Sequence, residues 1–323
     1  MNKISKMTEF SATLPREKQC VFVVSTGRTG TQFFVKNAPS IIEDCVSFHE
    51  PDTIWLSRPY EWYSKARLVG LRQLTIDKVL PARSLRSLSN ARARREITDD
   101  AAMESLRSLR KRLIEEAQGS VVLEANAAYF GLIDLIPKLF PSANIVFIIR
   151  DPRDWVRSMM NKSFAVVGPY ATFDVRCWIP KARLAASQFR EDAACPLWRR
   201  MSRFEKLCWL WNCENSFALE CASKTDHVRI CRFEDIFGGS SRKEAFCDLL
   251  EFLTRFPNGE RAQWHLDEKL LSRKVHSTAS GSFPSWPEWE QKLVMQMHTR
   301  CHGLMDKFGY GQELEWNHRI EKE

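Results

Sequence analysis

The stretch Val21-Phe22-Val23-Val24-Ser25-Thr26-Gly27-Arg28-Thr29-Gly30-Thr31 decides how the rest of the chain is read. Four apolar residues, three of them valine, suit a buried strand. They run into a turn with two glycines, an arginine and several hydroxyls, and an amphipathic stretch over 31–37 continues from it as a helix. Glycines let the backbone approach an anion, and the free N–H groups at a helix start point toward it. Arg28 adds a fixed charge, and Thr29 and Thr31 add hydroxyl donors. A tight turn that binds nothing is the alternative. The turn does not end in Gly-Lys-Ser/Thr, so it lacks the hydroxyl that holds Mg²⁺ in nucleoside triphosphate enzymes.

A second segment, 144–158, repeats the logic. The apolar run 144–149 predicts a buried strand that delivers Arg150 to its carboxyl end, where open α/β sheets bind ligands. Asp151 would suit a metal, but Arg150 beside it favours an anion. Pro152 fits the first turn of the next helix, and Ser158 follows Arg150 by eight residues.

Further strands are predicted over 45–48, 121–125 and 227–233. Helices are predicted within 64–117 and over 129–140, 204–221, 243–256 and 288–308, with an extended Ser/Gly/Pro loop over 274–289. Strands alternating with helices imply an α/β protein with a central parallel sheet covered on both faces. No linker divides the chain, so one domain over 1–323 is expected, with its core at 18–311 and a helical insert at 64–117.

The 323 residues are 44% hydrophobic and 27% charged, which excludes a disordered chain and a disulfide-stapled miniature. No apolar run approaches the ~18 residues of a membrane span. No secretory signal is visible, so a cytoplasmic protein with reduced thiols is expected. The ten cysteines form no CxxC pair, Cys208, Cys213 and Cys221 share one predicted helix, and the histidines read as scattered, so no metal site is expected. Net charge is +8, and residues 64–116 hold thirteen Lys and Arg against seven Asp and Glu. Such a balance suits nucleic acid, a membrane surface or a small polyanion.

Together the two segments resemble the sulfotransferases that use PAPS (3′-phosphoadenosine 5′-phosphosulfate). The resemblance extends to Phe140-Pro141, Arg232-Phe233-Glu234-Asp235 and the tail 304–310, and so spans about residues 20–311. It implies a three-layer P-loop-like fold. It also implies that Ser25, Thr26, Gly27, Arg28, Thr29, Gly30, Thr31 and Gln32 hold the 5′-phosphosulfate, and that Arg150 and Ser158 hold the 3′-phosphate. A transferred sulfuryl group carries less charge than a phosphoryl group, so a turn without a metal ligand fits it, and no metal is expected to be required. The Arg-Lys-Gly loop of animal cytosolic members has no clear copy here; Lys274, His276 and Ser277 are the best substitutes. At Glu124-Ala125-Asn126 many bacterial relatives carry Glu-Lys-Thr, and the 64–117 insert matches no motif of the family.

The expected reaction moves the sulfuryl group of PAPS to a hydroxyl or amine of a small-molecule or carbohydrate acceptor and releases PAP. Arg28 would stabilise the leaving phosphate. For the base, Phe48-His49-Glu50-Pro51 ends a predicted strand at the same sheet edge, and related carbohydrate sulfotransferases carry Glu-Pro there. Histidine titrates near neutrality unaided, whereas a glutamate needs burial or a neighbour to tune it. Glu50 leads His49 slightly, and Glu124 is a distant third; a loop side chain that only caps or packs is the plain alternative. Trp55 is a candidate to stack on adenine, while Trp209 and Trp211, two apart on a helix, cannot line one pocket together. Rival readings are a P-loop-type small-molecule kinase and a nucleic-acid-binding protein using the basic insert. A further reading makes the insert an acceptor lid, with 83–100 the stretch whose deletion would raise the acceptor KM.

Overall fold

The computed structural model describes residues 18–54, 59–161, 183–272 and 283–321. Five strands, β1 (Gln19–Ser25), β2 (Cys45–His49), β3 (Val121–Asn126), β4 (Ala143–Ile149) and β5 (Val228–Arg232), form one sheet in the order β2-β3-β1-β4-β5. Every pairing is parallel. All carboxyl ends therefore lie on one edge, which places the turn after β1, Arg150 after β4 and His49 at the end of β2 on the same side.

Side-chain alternation sorts the sheet residues into two cores. Cys20, Phe22 and Val24 of β1, with Ile145, Phe147 and Ile149 of β4, enter one cluster, which also takes in the helix Arg203–Ala222. Val21 and Val23, with Val146 and Ile148, face the other, built on α1 (Thr31–Ile41) and the helix Arg242–Leu253. The fold is thus a three-layer α/β sandwich of P-loop-like type.

α1 runs past the predicted end at residue 37 and through Pro39. Proline there has no N–H for the carbonyl of Val35. The Ser47 hydroxyl of β2 donates to that carbonyl instead, at 2.6 Å, so the helix continues.

Residues 129–140 do not form the predicted single helix. A 3₁₀ turn covers Ala127–Gly131 and one α-helical turn, α7, covers Ile136–Leu139. The Asn126 side chain accepts the Ala128 N–H and starts the turn, and residues 127–136 are buried on every side. Such a segment carries no amphipathic period to separate helix from irregular backbone. At the far end, the last long helix is Gln291–Lys307, and a short helix Leu314–Ile320 follows that the sequence reading did not contain.

The insert is five helices: α2 (Trp62–Val69), α3 (Leu71–Leu74), α4 (Ile76–Val79), α5 (Leu85–Ala93) and α6 (Asp99–Glu116). Leu85, Leu88 and Ser89 of α5 are fully buried, and Arg92 donates to the carbonyl of Gly131 and to both Asp134 oxygens. The middle of the 83–100 stretch, residues 84–92, thus packs into the core, and removing it would cost the fold.

Candidate active site at the carboxyl edge of the sheet

The turn after β1 is held by its own hydroxyl and by braces behind it. Ser25 is buried and its Oγ accepts the Gly27 N–H at 3.0 Å. Gly27, Arg28 and Gly30 all take left-handed backbone, with φ of 87°, 61° and 76°. The Gly27 carbonyl accepts the indole N–H of Trp155 at 2.9 Å, and the Arg28 carbonyl accepts Nη1 of Arg150 at 2.9 Å. Gly30 starts α1 without a side-chain cap, which leaves the first N–H groups of an eleven-residue helix for a ligand. Buried Thr29 Oγ1 and Gln32 Oε1 have no hydrogen-bond partner among the described residues.

Gly30 has no room for a side chain: an added Cβ would lie 2.7 Å from the Phe237 ring. Gly30→Ala should destabilise the fold by about 1–3 kcal/mol through overpacking and the left-handed φ, readable as a lower urea midpoint.

Arg28, Arg150 and Ser158 form one cluster. Arg28 Nε donates to Ser158 Oγ at 2.8 Å, from α8 (Pro152–Met160). Arg150 lies over the Phe233 ring at 4.6 Å, its carbonyl accepts the Trp211 indole N–H at 3.1 Å, and its buried Nε has no partner among the described residues. Burial, and then the positive charge of Arg150, lower the Arg28 guanidinium from its ordinary value. Two guanidiniums at one turn, one of them with an orphaned donor, suit a multiply charged anion such as a phosphate-bearing nucleotide.

The late landmarks converge on the same place. Glu234 accepts the Asp151 N–H at 3.1 Å and the Tyr310 hydroxyl at 2.8 Å, and Arg232 lies 4.7 Å over the Tyr310 ring. Burial raises the Glu234 carboxyl above its ordinary value. The bracing roles of Trp155 and Trp211 were not read from sequence, although Trp155 lies inside the quoted 144–158 segment. Trp209, two residues from Trp211, bonds instead to Asp192 at 2.7 Å, so the pair does serve different surroundings.

His49 pairs in register with Ala125 of β3, and its Nε2 lies 3.5 Å from Thr31 Oγ1, which joins the end of β2 to the start of α1. Glu50 follows in left-handed backbone, φ 42°, a conformation that costs a non-glycine residue on the order of 1 kcal/mol. Its N–H donates to the Ala125 carbonyl at 3.1 Å and its carbonyl accepts the Thr53 N–H at 2.9 Å. A cleft of ≈ 320 Å³ opens beside this turn, with Gln32, Phe48 and His49 on one wall and Glu61, Lys65 and Leu68 on the other. The wall from the insert is α2 with the turn before it.

Glu124 is not open to such a cleft. It is 1% exposed, both of its oxygens accept from Arg110 Nε at 3.1 and 2.8 Å, and the Tyr129 hydroxyl donates to it at 2.7 Å. Its place is within a structural ion pair. Trp55, Lys274, His276 and Ser277 lie outside the described residues.

The nine cysteines among the described residues are free, and burial pushes the thiols of Cys20, Cys45 and Cys221 up to about 12. His298 and His302 do stand four apart on one helix, a pair the reading of scattered histidines passed over. No group of three or more His, Cys, Asp or Glu among the described residues is arranged to hold a metal ion. No helix among them is long and apolar enough to cross a membrane.

A model of the sulfotransferase family matches residues 20–203, more than half of the chain. No curated protein matches it. Among solved structures, a sulfotransferase from Alicyclobacillus acidocaldarius is 14% identical, with 93% of this chain and 98% of that chain covered and a TM-score of 0.37. STF9 from Mycobacterium avium is 14% identical, covering 93% and 78%, with a TM-score of 0.45. The sulfotransferase domain of the curacin biosynthetic pathway is 11% identical, covering 94% and 97%, with a TM-score of 0.39. With the family's model spanning β1 through the cluster at Arg28, Arg150 and Ser158, the chain belongs to the sulfotransferase family.

Proposed function

We propose that the chain transfers the sulfuryl group of PAPS to a hydroxyl or amine of a small-molecule or carbohydrate acceptor and releases PAP. The observation that carries this reading is the pairing of Arg28 with Arg150 at the turn after β1, beside the Ser158 hydroxyl. The turn from Ser25 to Gln32 receives the 5′-phosphosulfate, and Arg150 with Ser158 receives the 3′-phosphate. In the reaction the acceptor atom bonds to sulfur as the sulfur–phosphate oxygen bond breaks. The acceptor's proton passes to Glu50 or His49. Negative charge grows on the departing phosphate oxygen, where Arg28 and the backbone N–H groups of the turn stabilise it.

The cleft beside His49 takes the acceptor, and α2 forms its outer wall. The lid expected of the whole insert narrows to this helix. Most of the insert's cations are engaged with carboxylates: Arg86 with Glu214, Arg92 with Asp134, Arg94 with Glu96 and Arg112 with Glu116. Paired charge of this kind offers little to a nucleic acid backbone.

A thermal shift measurement tests the donor site. PAP at one hundred times its Kd, with EDTA present, should stabilise the protein by about 2.7 kcal/mol, a rise of several degrees in Tm. ATP with Mg²⁺ should shift it far less. No response to PAP, or a response only with metal, would overturn the reading.

A further inference from the structure

We propose that Asp52, gripped by Lys78 and Arg110 of the insert, is a positioning residue that holds the His49–Glu50 turn at the sheet edge. The proposal rests on the reading of that turn as the proton acceptor. Asp52 is 4% exposed and sits two residues past Glu50. Its Oδ1 accepts Asn126 Nδ2 at 2.9 Å and Arg110 Nη2 at 3.2 Å, and its Oδ2 accepts Lys78 Nζ at 2.9 Å. Burial alone would raise this carboxyl, but Lys78 and Arg110 outweigh it and hold Asp52 well below the usual carboxylate range. The anion is therefore present at any pH at which the protein would work.

The donors are themselves fixed. Arg110 comes from α6 and has its other faces on Glu124 and on the Tyr129 hydroxyl, 2.7 Å from its Nε. Asn126 ends β3, and its side-chain Oδ1 accepts the Ala128 N–H and caps the 3₁₀ turn that follows. The turn is tied again one residue on, where Lys65 Nζ of α2 donates to the Thr53 carbonyl at 2.7 Å. Three insert helices, α2, α4 and α6, thus converge on residues 52 and 53. Left-handed backbone at a non-glycine residue persists where its surroundings over-determine it, and this cage supplies that constraint for Glu50. Asn126, one of the positions at which this chain departs from the Glu-Lys-Thr of many relatives, is a member of the cage, as is Glu124. The insert then acts on chemistry through the turn, and its basic excess is in part the set of counter-charges that Asp52 and Glu124 require.

Lys78 is the residue to test, because it is partly exposed and its loss strands less buried charge than loss of Arg110 would. In Lys78→Met, hydrogen exchange of the Glu50 and Thr53 amides should speed up by about tenfold or more, while the amides of β1 and β4 keep their protection. PAP affinity should stay within about twofold, and PAP release from PAPS in the absence of acceptor, as hydrolysis to sulfate, should slow by about tenfold or more. Lys78→Arg should restore both. Unchanged exchange at residues 50 and 53 would overturn the proposal. So would faster exchange spread evenly over all five strands, which would give the ion pairs a general stabilising role only. A wild-type chain that ignores PAP would defeat the donor-site reading, whereas the exchange comparison needs no nucleotide and decides the grip on the turn by itself.

Discussion

Arg150→Glu should lower the affinity for PAP by about 10²–10³-fold, read by calorimetric titration, with the fold intact. The magnitude follows from what the guanidinium faces. Arg150 has one donor on the Arg28 carbonyl, a loose contact to Asp154 at 3.8 Å, and a buried Nε with no described partner. A carboxylate in its place removes a cation from a phosphate and adds repulsion against it. The same change brings a negative charge beside Arg28, whose guanidinium is now lowered by burial and by a like charge. The free protein should therefore lose little stability, and the Tm without ligand should move far less than the affinity. Arg150→Met, which removes the charge and adds no repulsion, should fall between wild type and Arg150→Glu. An affinity for PAP within twofold of wild type in the charge-reversed protein would remove the 3′-phosphate site from this position, and with it the donor assignment.

Both the sheet and the turn that feeds α1 were legible because their physics is local. β1 and β4 are buried on both faces, so their apolar runs needed no partner to be recognised, and the glycines of the turn sit where left-handed φ is required. Arg150 was placed by its strand end and Ser158 by the resemblance, and the structure brings both beside Arg28. What stayed hidden depended on packing between distant segments. The indole N–H groups of Trp155 and Trp211 reach the carbonyls of Gly27 and Arg150, but a tryptophan in a core stretch reads as core. Asp52 and Arg110 are 58 residues apart, and nothing in either neighbourhood announces the other. The charge of 64–116 left nucleic acid, a membrane surface and a small polyanion open, whereas Arg92 and Arg110 turn inward onto Asp134 and Glu124. Composition counts cations without saying which of them are already matched.

Glu50→Gln should reduce kcat for sulfuryl transfer by about 10²–10⁴-fold, with PAP affinity within about twofold. The amide keeps the shape of the side chain and the backbone bonds of the turn, and loses only the ability to take a proton. Among the described residues no hydrogen bond or ion pair holds the Glu50 carboxylate, in contrast to Glu124, whose oxygens are taken by Arg110 and Tyr129. His49→Ala should behave differently. His49 lines the cleft and stands 3.5 Å from Thr31 Oγ1, so its loss should appear mainly in the acceptor KM, with a smaller fall in kcat. A labelled-PAPS acceptor screen, read as gain of one sulfo group, supplies the substrate for both measurements. If His49→Ala instead takes the large fall in kcat while Glu50→Gln keeps wild-type turnover, the base is the imidazole, and the left-handed residue after it serves to aim β2. If both variants turn over like wild type, the proton leaves by another route, and the end of β2 is only the wall of the cleft.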